Sequence, residues 1–98
     1  MKRLYELLND YFSNDKDIEI IFENNEIEIE INEKYYYRDL RIFIENEFIY
    51  IKDFLYSEEE DEIELLKINK SIYDNLNQDN KLNLFILRYI QDFIDIIE

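Results

Sequence analysis

Between Asp17 and Glu33 the chain carries seven carboxylates and no cationic side chain. Ile18, Ile20 and Phe22 alternate with Glu19, Ile21 and Glu23, while Ile27, Ile29 and Ile31 alternate with Glu26, Glu28 and Glu30. Such alternation reads as two half-buried strands, and Asn24-Asn25 between them suits a type I′ turn because asparagine tolerates positive φ. That loop length pairs Phe22 with Ile27, Ile20 with Ile29 and Ile18 with Ile31. It also sets Glu23 opposite Glu26 and Glu19 opposite Glu30, with Glu28 beside Ile21. Like charges facing one another across a sheet cost up to ~1 kcal/mol each. Stability alone does not ask for them. Alternate residues of a strand lie ~6.6–7 Å apart, so two adjacent rows present about one charge per 3.4 Å, close to the spacing along one DNA strand. The chemistry on offer is electrostatic, a carboxylate surface suited to a basic groove. The ordinary alternative is a solvated outer face that keeps the protein soluble and guards sheet edges.

A second acidic run, Glu58, Glu59, Glu60, Asp61 and Glu62, is unbroken. Hard cations favour carboxylate oxygens, but the spaced Asp/Asn–Gly pattern of an EF-hand is missing and five consecutive acids cannot converge on one ion. No metal site is assigned. The run reads as an exposed loop or helix start, or as a second negative patch serving the same basic partner. Catalysis finds little support: the sequence has no Cys and no His, and its Ser residues (13, 57 and 71) sit at expected turns or caps. No catalytic residue and no cofactor are assigned. Apolar excess is the third feature. Phe43 and Tyr50 on a sheet face, with Ile90 and Phe93 on a C-terminal helix, form a candidate homodimer or docking face unless helices and sheet cover one another.

These side chains need a scaffold, and the composition bounds it. Ninety-eight residues of net charge −14, 47% apolar, fit one small folded domain spanning 1–98 and not an acidic disordered tail. The charge disfavours direct binding to nucleic acid. No apolar run approaches ~18 residues and no basic segment leads a hydrophobic one, so neither a membrane span nor a signal peptide is expected, and the reading is cytoplasmic. Eighteen Ile and eleven Asn suit an AT-rich genome, yet the same bias favours Lys, which occurs seven times against fifteen Glu and ten Asp. The acidity therefore looks selected. Without Gly or Pro, turns fall to Asn, Asp and Ser.

Residues 1–12 place Leu4, Leu7, Leu8, Tyr11 and Phe12 on one helical stripe. Residues 35–45 and 48–52 read as a second hairpin about Asn46-Glu47, pairing Ile44 with Ile49 and Ile42 with Ile51. Arg38 lies on the apolar parity of its strand, which predicts a bulge or a strand end. Residues 57–70 admit two readings, a helix opened by the Ser57 capping box or a short fifth strand through Ile63, Leu65, Leu66 and Ile68. The second is slightly favoured, with a helix beginning near 71. Residues 81–98 form the strongest helix, its stripe wider than a surface helix needs. The fold expected is α+β: an N-terminal helix, an antiparallel β-meander of four or five strands, and a C-terminal helix or helices packed on the sheet.

The order helix (Met1–Phe12), meander (Ile18–Tyr56) and helices (Ser71–Glu98), with acids gathered on the sheet, resembles small phage-encoded DNA mimics, anti-CRISPR proteins and restriction inhibitors among them. The likeness spans the whole chain but rests on size, charge and element order, so it carries over no individual residue. It implies an inhibitor that blocks the nucleic-acid site of a basic nucleic-acid-processing protein. Two other readings stand beside it. One is an immunity protein or antitoxin for a basic nuclease toxin. The other is a small acidic dimeric chaperone or assembly subunit, worked by the C-terminal helix and the aromatic sheet face.

Overall fold

Two left-handed turns organise the sheet. The structure, a computed structural model, describes residues 1–33, 36–54, 62–76 and 80–97. Asn24 and Asn25 have φ of 53° and 58°, and Asn46 and Glu47 have 51° and 69°. Both pairs are thus in the type I′ range, whose twist matches that of paired strands. The first closes β1 (Ile18–Glu23) on β2 (Glu26–Glu33), the second β3 (Tyr36–Glu45) on β4 (Phe48–Phe54). Phe22 pairs with Ile27, Ile20 with Ile29, Ile18 with Ile31, Ile44 with Ile49 and Ile42 with Ile51. Each pairing is the one the alternation predicts.

A fifth strand, β5 (Glu62–Asn69), joins β4 and completes an antiparallel sheet of order β1-β2-β3-β4-β5. Of the two readings for 57–70, the strand therefore holds from Glu62 onward; the Ser57 capping box lies outside the described residues. Helices α1 (Lys2–Tyr11), α2 (Lys70–Leu76) and α3 (Lys81–Ile97) complete the α+β fold. Ile27, Ile29, Leu40, Ile42 and Ile49 share one sheet face and are fully buried against Leu4 and Leu8 of α1 and Ile86 and Ile90 of α3. Burying a side chain of this size is worth ~1.5–3 kcal/mol, so this face carries the fold. Among the described residues, no helix is long and apolar enough to cross a membrane.

Two expectations need correction. Arg38 marks neither a bulge nor a strand end, because β3 pairs with β2 without interruption from Ile42 through Tyr36. Its guanidinium instead reaches Asp53 at 3.4 Å, a second charged residue on the apolar parity, and partly offsets the burial that raises the Asp53 carboxyl. The bulge lies elsewhere. Ile51 pairs with Leu66 but Lys52 with Glu64, leaving Leu65 as an extra residue of β5. The second correction concerns Ile90. It is fully buried at the centre of the α3 stripe and offers no surface to a second molecule.

Candidate functional site

The strand period that sends isoleucines inward sends the glutamates outward. Glu19 and Glu23 of β1 are exposed, and Glu26, Glu28 and Glu30 of β2 are half-buried on the same sheet face. Glu19 lies opposite Glu30 and Glu23 opposite Glu26, with Glu28 opposite Ile21. All five predicted residues therefore come together. Glu58, Glu59, Glu60 and Asp61 lie outside the described residues. Glu62 opens β5, at the far edge of the sheet from β1.

The next strand adds a residue that the sequence reading missed. Glu30 pairs with Asp39 and Glu28 with Arg41, so a buried carboxylate and the cation that binds it border the acidic face on β3. The parity of Asp39 was readable, but its alignment with Glu30 depends on the β2–β3 connection, where no two-residue turn fixes the register. Arg41 donates from Nη2 to Asp39 Oδ2 at 3.0 Å, and its guanidinium lies 4.5 Å from the centre of the Phe54 ring. The Arg41 guanidinium is thus drawn toward Asp39 and Phe54. Glu23, Glu26, Glu28 and Arg41 border a polar depression of about 130 Å³.

Burial and the crowding of charge together shift these groups. The Glu28 carboxyl is pushed up to about 7, first by burial, then by the Asp39 charge and by the hydrogen bond it shares with Glu30. Arg41 opposes the shift and is outweighed. The Tyr37 hydroxyl is also raised, by burial and then by Asp39, Glu30 and Glu28. Asp39 holds the Arg41 proton more firmly than usual through their hydrogen bond.

The other half of this face differs in character. Phe43 and Tyr50 pair across β3 and β4 and stack with ring centroids 5.6 Å apart. Lys52 Nζ lies 5.5 Å and 5.1 Å from these two rings, and Lys67 Nζ lies 4.2 Å from Phe48. Cations over aromatic faces make this half an amphipathic rim, not a bare apolar patch. Of the predicted docking residues, Phe43 and Tyr50 thus stand beside the carboxylates, while Phe93 is half-buried and packs against the core. No protein-family model, curated protein or solved structure matches the chain.

Proposed function

We propose that this chain is an acidic protein-binding inhibitor whose β1–β2 carboxylate face occupies the cationic nucleic-acid groove of a nucleic-acid-processing protein. One observation carries the reading: Glu19, Glu23, Glu26, Glu28 and Glu30 share one sheet face, with Glu19 directly opposite Glu30 and Glu23 opposite Glu26, while Asp39 engages the adjacent Arg41. Opposed carboxylates lower the stability of the isolated fold. A docked array of lysines and arginines relieves that repulsion, and the same negative field steers a basic partner and speeds association. Phe43 and Tyr50 flank the charges and supply the aromatic anchors that such contacts favour.

In this reading the protein belongs with phage- or mobile-element-encoded DNA mimics, acts in the host cytoplasm, and targets a defence nuclease complex without binding nucleic acid itself. Its test is the triple change Glu26→Lys, Glu28→Lys and Glu30→Lys. Capture of a basic nuclease from phage-infected lysate, released by salt, should be lost while circular dichroism stays that of the parent. Capture and inhibition that survive the triple change would rule this reading out.

A further inference from the structure

On the helical side, away from the carboxylates, α1 and α3 lie side by side and run in the same direction. Arg3 and Leu7 meet Asn80, Asn83 and Leu84 around a cavity of about 140 Å³. One turn further on, Tyr11 meets Leu84, Leu87, Arg88 and Gln91 around a wider trough of about 400 Å³. Leu84 borders both, so the two adjoin along the α1–α3 seam. Tyr11 and Leu84 are left 55% and 52% exposed along it, which is unusual for residues beside a packed core.

The end of the groove near Arg3 holds two orphaned polar atoms. Asn83 is fully buried, and its Oδ1 accepts the Tyr73 hydroxyl at 3.1 Å. That bond orients the carboxamide and leaves Nδ2 a buried donor without a partner among the described residues. Asn80, immediately before α3, has a buried Oδ1 acceptor in the same condition. Leaving a buried donor or acceptor unpaired is unfavourable in the free protein. We propose that the α1–α3 groove docks an extended segment of a partner protein, one apolar side chain filling the cavity while its flanking peptide groups bond Asn83 and Asn80.

The three features together select a peptide. A hydrocarbon fills the cavity but leaves both asparagines unpaired. A free carboxylate accepts from Asn83 and Arg3 but places an anion against Asn80 Oδ1. A peptide residue brings an apolar side chain, a carbonyl for Asn83 and an N–H for Asn80 at once. An apolar cavity of ~150 Å³ takes a benzene-sized guest, so Leu or Ile fits this one. From Asn83 to Leu87 the helix rises ~6 Å, near the ~6.6–6.8 Å that separates residues i and i+2 of an extended chain. A second apolar residue two positions along therefore lies on Tyr11 and Leu87. Asp92 stands beside Arg88 at the wide end. Charge complementarity thus places the partner's acidic residue at the Arg3 end.

The probe is the capped peptide acetyl-Glu-Leu-Ser-Leu-amide, titrated into the ¹⁵N-labelled full chain and followed by NMR. Saturable shifts of the Asn83 side-chain amide and of Leu84 are expected, with Kd on the order of 1 mM. Leu84→Lys, at a half-exposed site, should abolish them. Asn83→Asp keeps an acceptor for Tyr73 but removes the donor, and should weaken binding about tenfold. The triple Lys variant of the carboxylate face should bind the peptide as the parent does, which separates this groove from the inhibitor reading. An unmoved Asn83 amide, or shifts that persist in Leu84→Lys, overturns the proposal. So does equal binding of isovalerate, which would mark a small-acid site. Shifts at these residues that grow with protein concentration alone would make a second copy the occupant and likewise overturn it.

Discussion

The Tyr89 hydroxyl donates to the Leu65 carbonyl at 3.0 Å, joining the middle of α3 to the one residue by which β5 outruns β4. A bulged residue drops out of the strand ladder. The helix packed over it supplies a partner, so bulge and helix position stabilise each other. Tyr89→Phe keeps the ring and removes only this bond. It should lower stability by about 1 kcal/mol, read as a shift of the urea midpoint without change of slope. An unmoved midpoint would mean that the bulge carbonyl has another partner.

Glu47 occupies the left-handed region at φ 69°, where a residue with a Cβ loses roughly 1–2 kcal/mol. Its carbonyl accepts the Lys70 N–H at 2.8 Å, tying the second hairpin turn to the start of α2 through the backbone alone. Glu47→Gly keeps that bond and removes the Cβ conflict. A gain of about 0.5–1 kcal/mol is expected after the larger entropy of glycine in the unfolded chain is allowed for. Thermal or urea unfolding measures it, and a loss of stability would show that the Glu47 side chain itself contributes.

Glu28 makes the fold sensitive to pH in a definite direction. Its carboxyl is raised from 4.5 to about 7, so the folded state favours the protonated form more than the unfolded chain does. This contribution is fully present below pH 4.5, falls away as pH rises toward 7, and is absent above. Glu28→Gln resembles the protonated side chain. It should match the parent near pH 4 and exceed it in stability near pH 8, the gap opening across that window in urea titrations. A gap independent of pH would place the proton elsewhere. If a cationic partner docks on this face, it should pull the Glu28 pKa down, so binding near pH 7 should release protons, detectable as a buffer-dependent calorimetric heat.

How far the sequence carried these results depended on the range of the interactions. The registers of both hairpins were legible to the residue, because two-residue loops beginning with Asn pair the core-facing isoleucines of each strand with apolar partners. The change of parity from Leu65 to Leu66 was visible as well, but its meaning as a bulge required β4 beside it. Arg38 misled for the same reason. Its counter-ion Asp53 lies fifteen residues away and meets it only once β3 and β4 pair. The Tyr73–Asn83 bond spans the α2–α3 connection and had no local signal at all. The width of the α3 stripe announced surplus apolar surface correctly. It could not say which side chains were surplus, since that depends on how the helix is rotated over the sheet: Leu84, Phe85 and Ile96 stay exposed while Ile86, Ile90 and Ile94 are buried.

Ile90 turns that rotation into a test. Fully buried between α3 and the sheet, it should behave as a core residue and not as a dimer contact. Ile90→Ala should cost about 2–5 kcal/mol, through lost transfer free energy and the cavity left behind. Ile90→Asp should unfold the chain at neutral pH, because an isolated buried carboxylate has no partner there. Exposed Ile96, on the same helix, should tolerate Asp within about 0.5 kcal/mol. Circular dichroism during urea unfolding, with size-exclusion chromatography of each variant, distinguishes the cases. A folded Ile90→Asp protein altered only in its oligomeric state would mean that α3 presents this side chain outward, and the rotation of the helix described above would have to be abandoned.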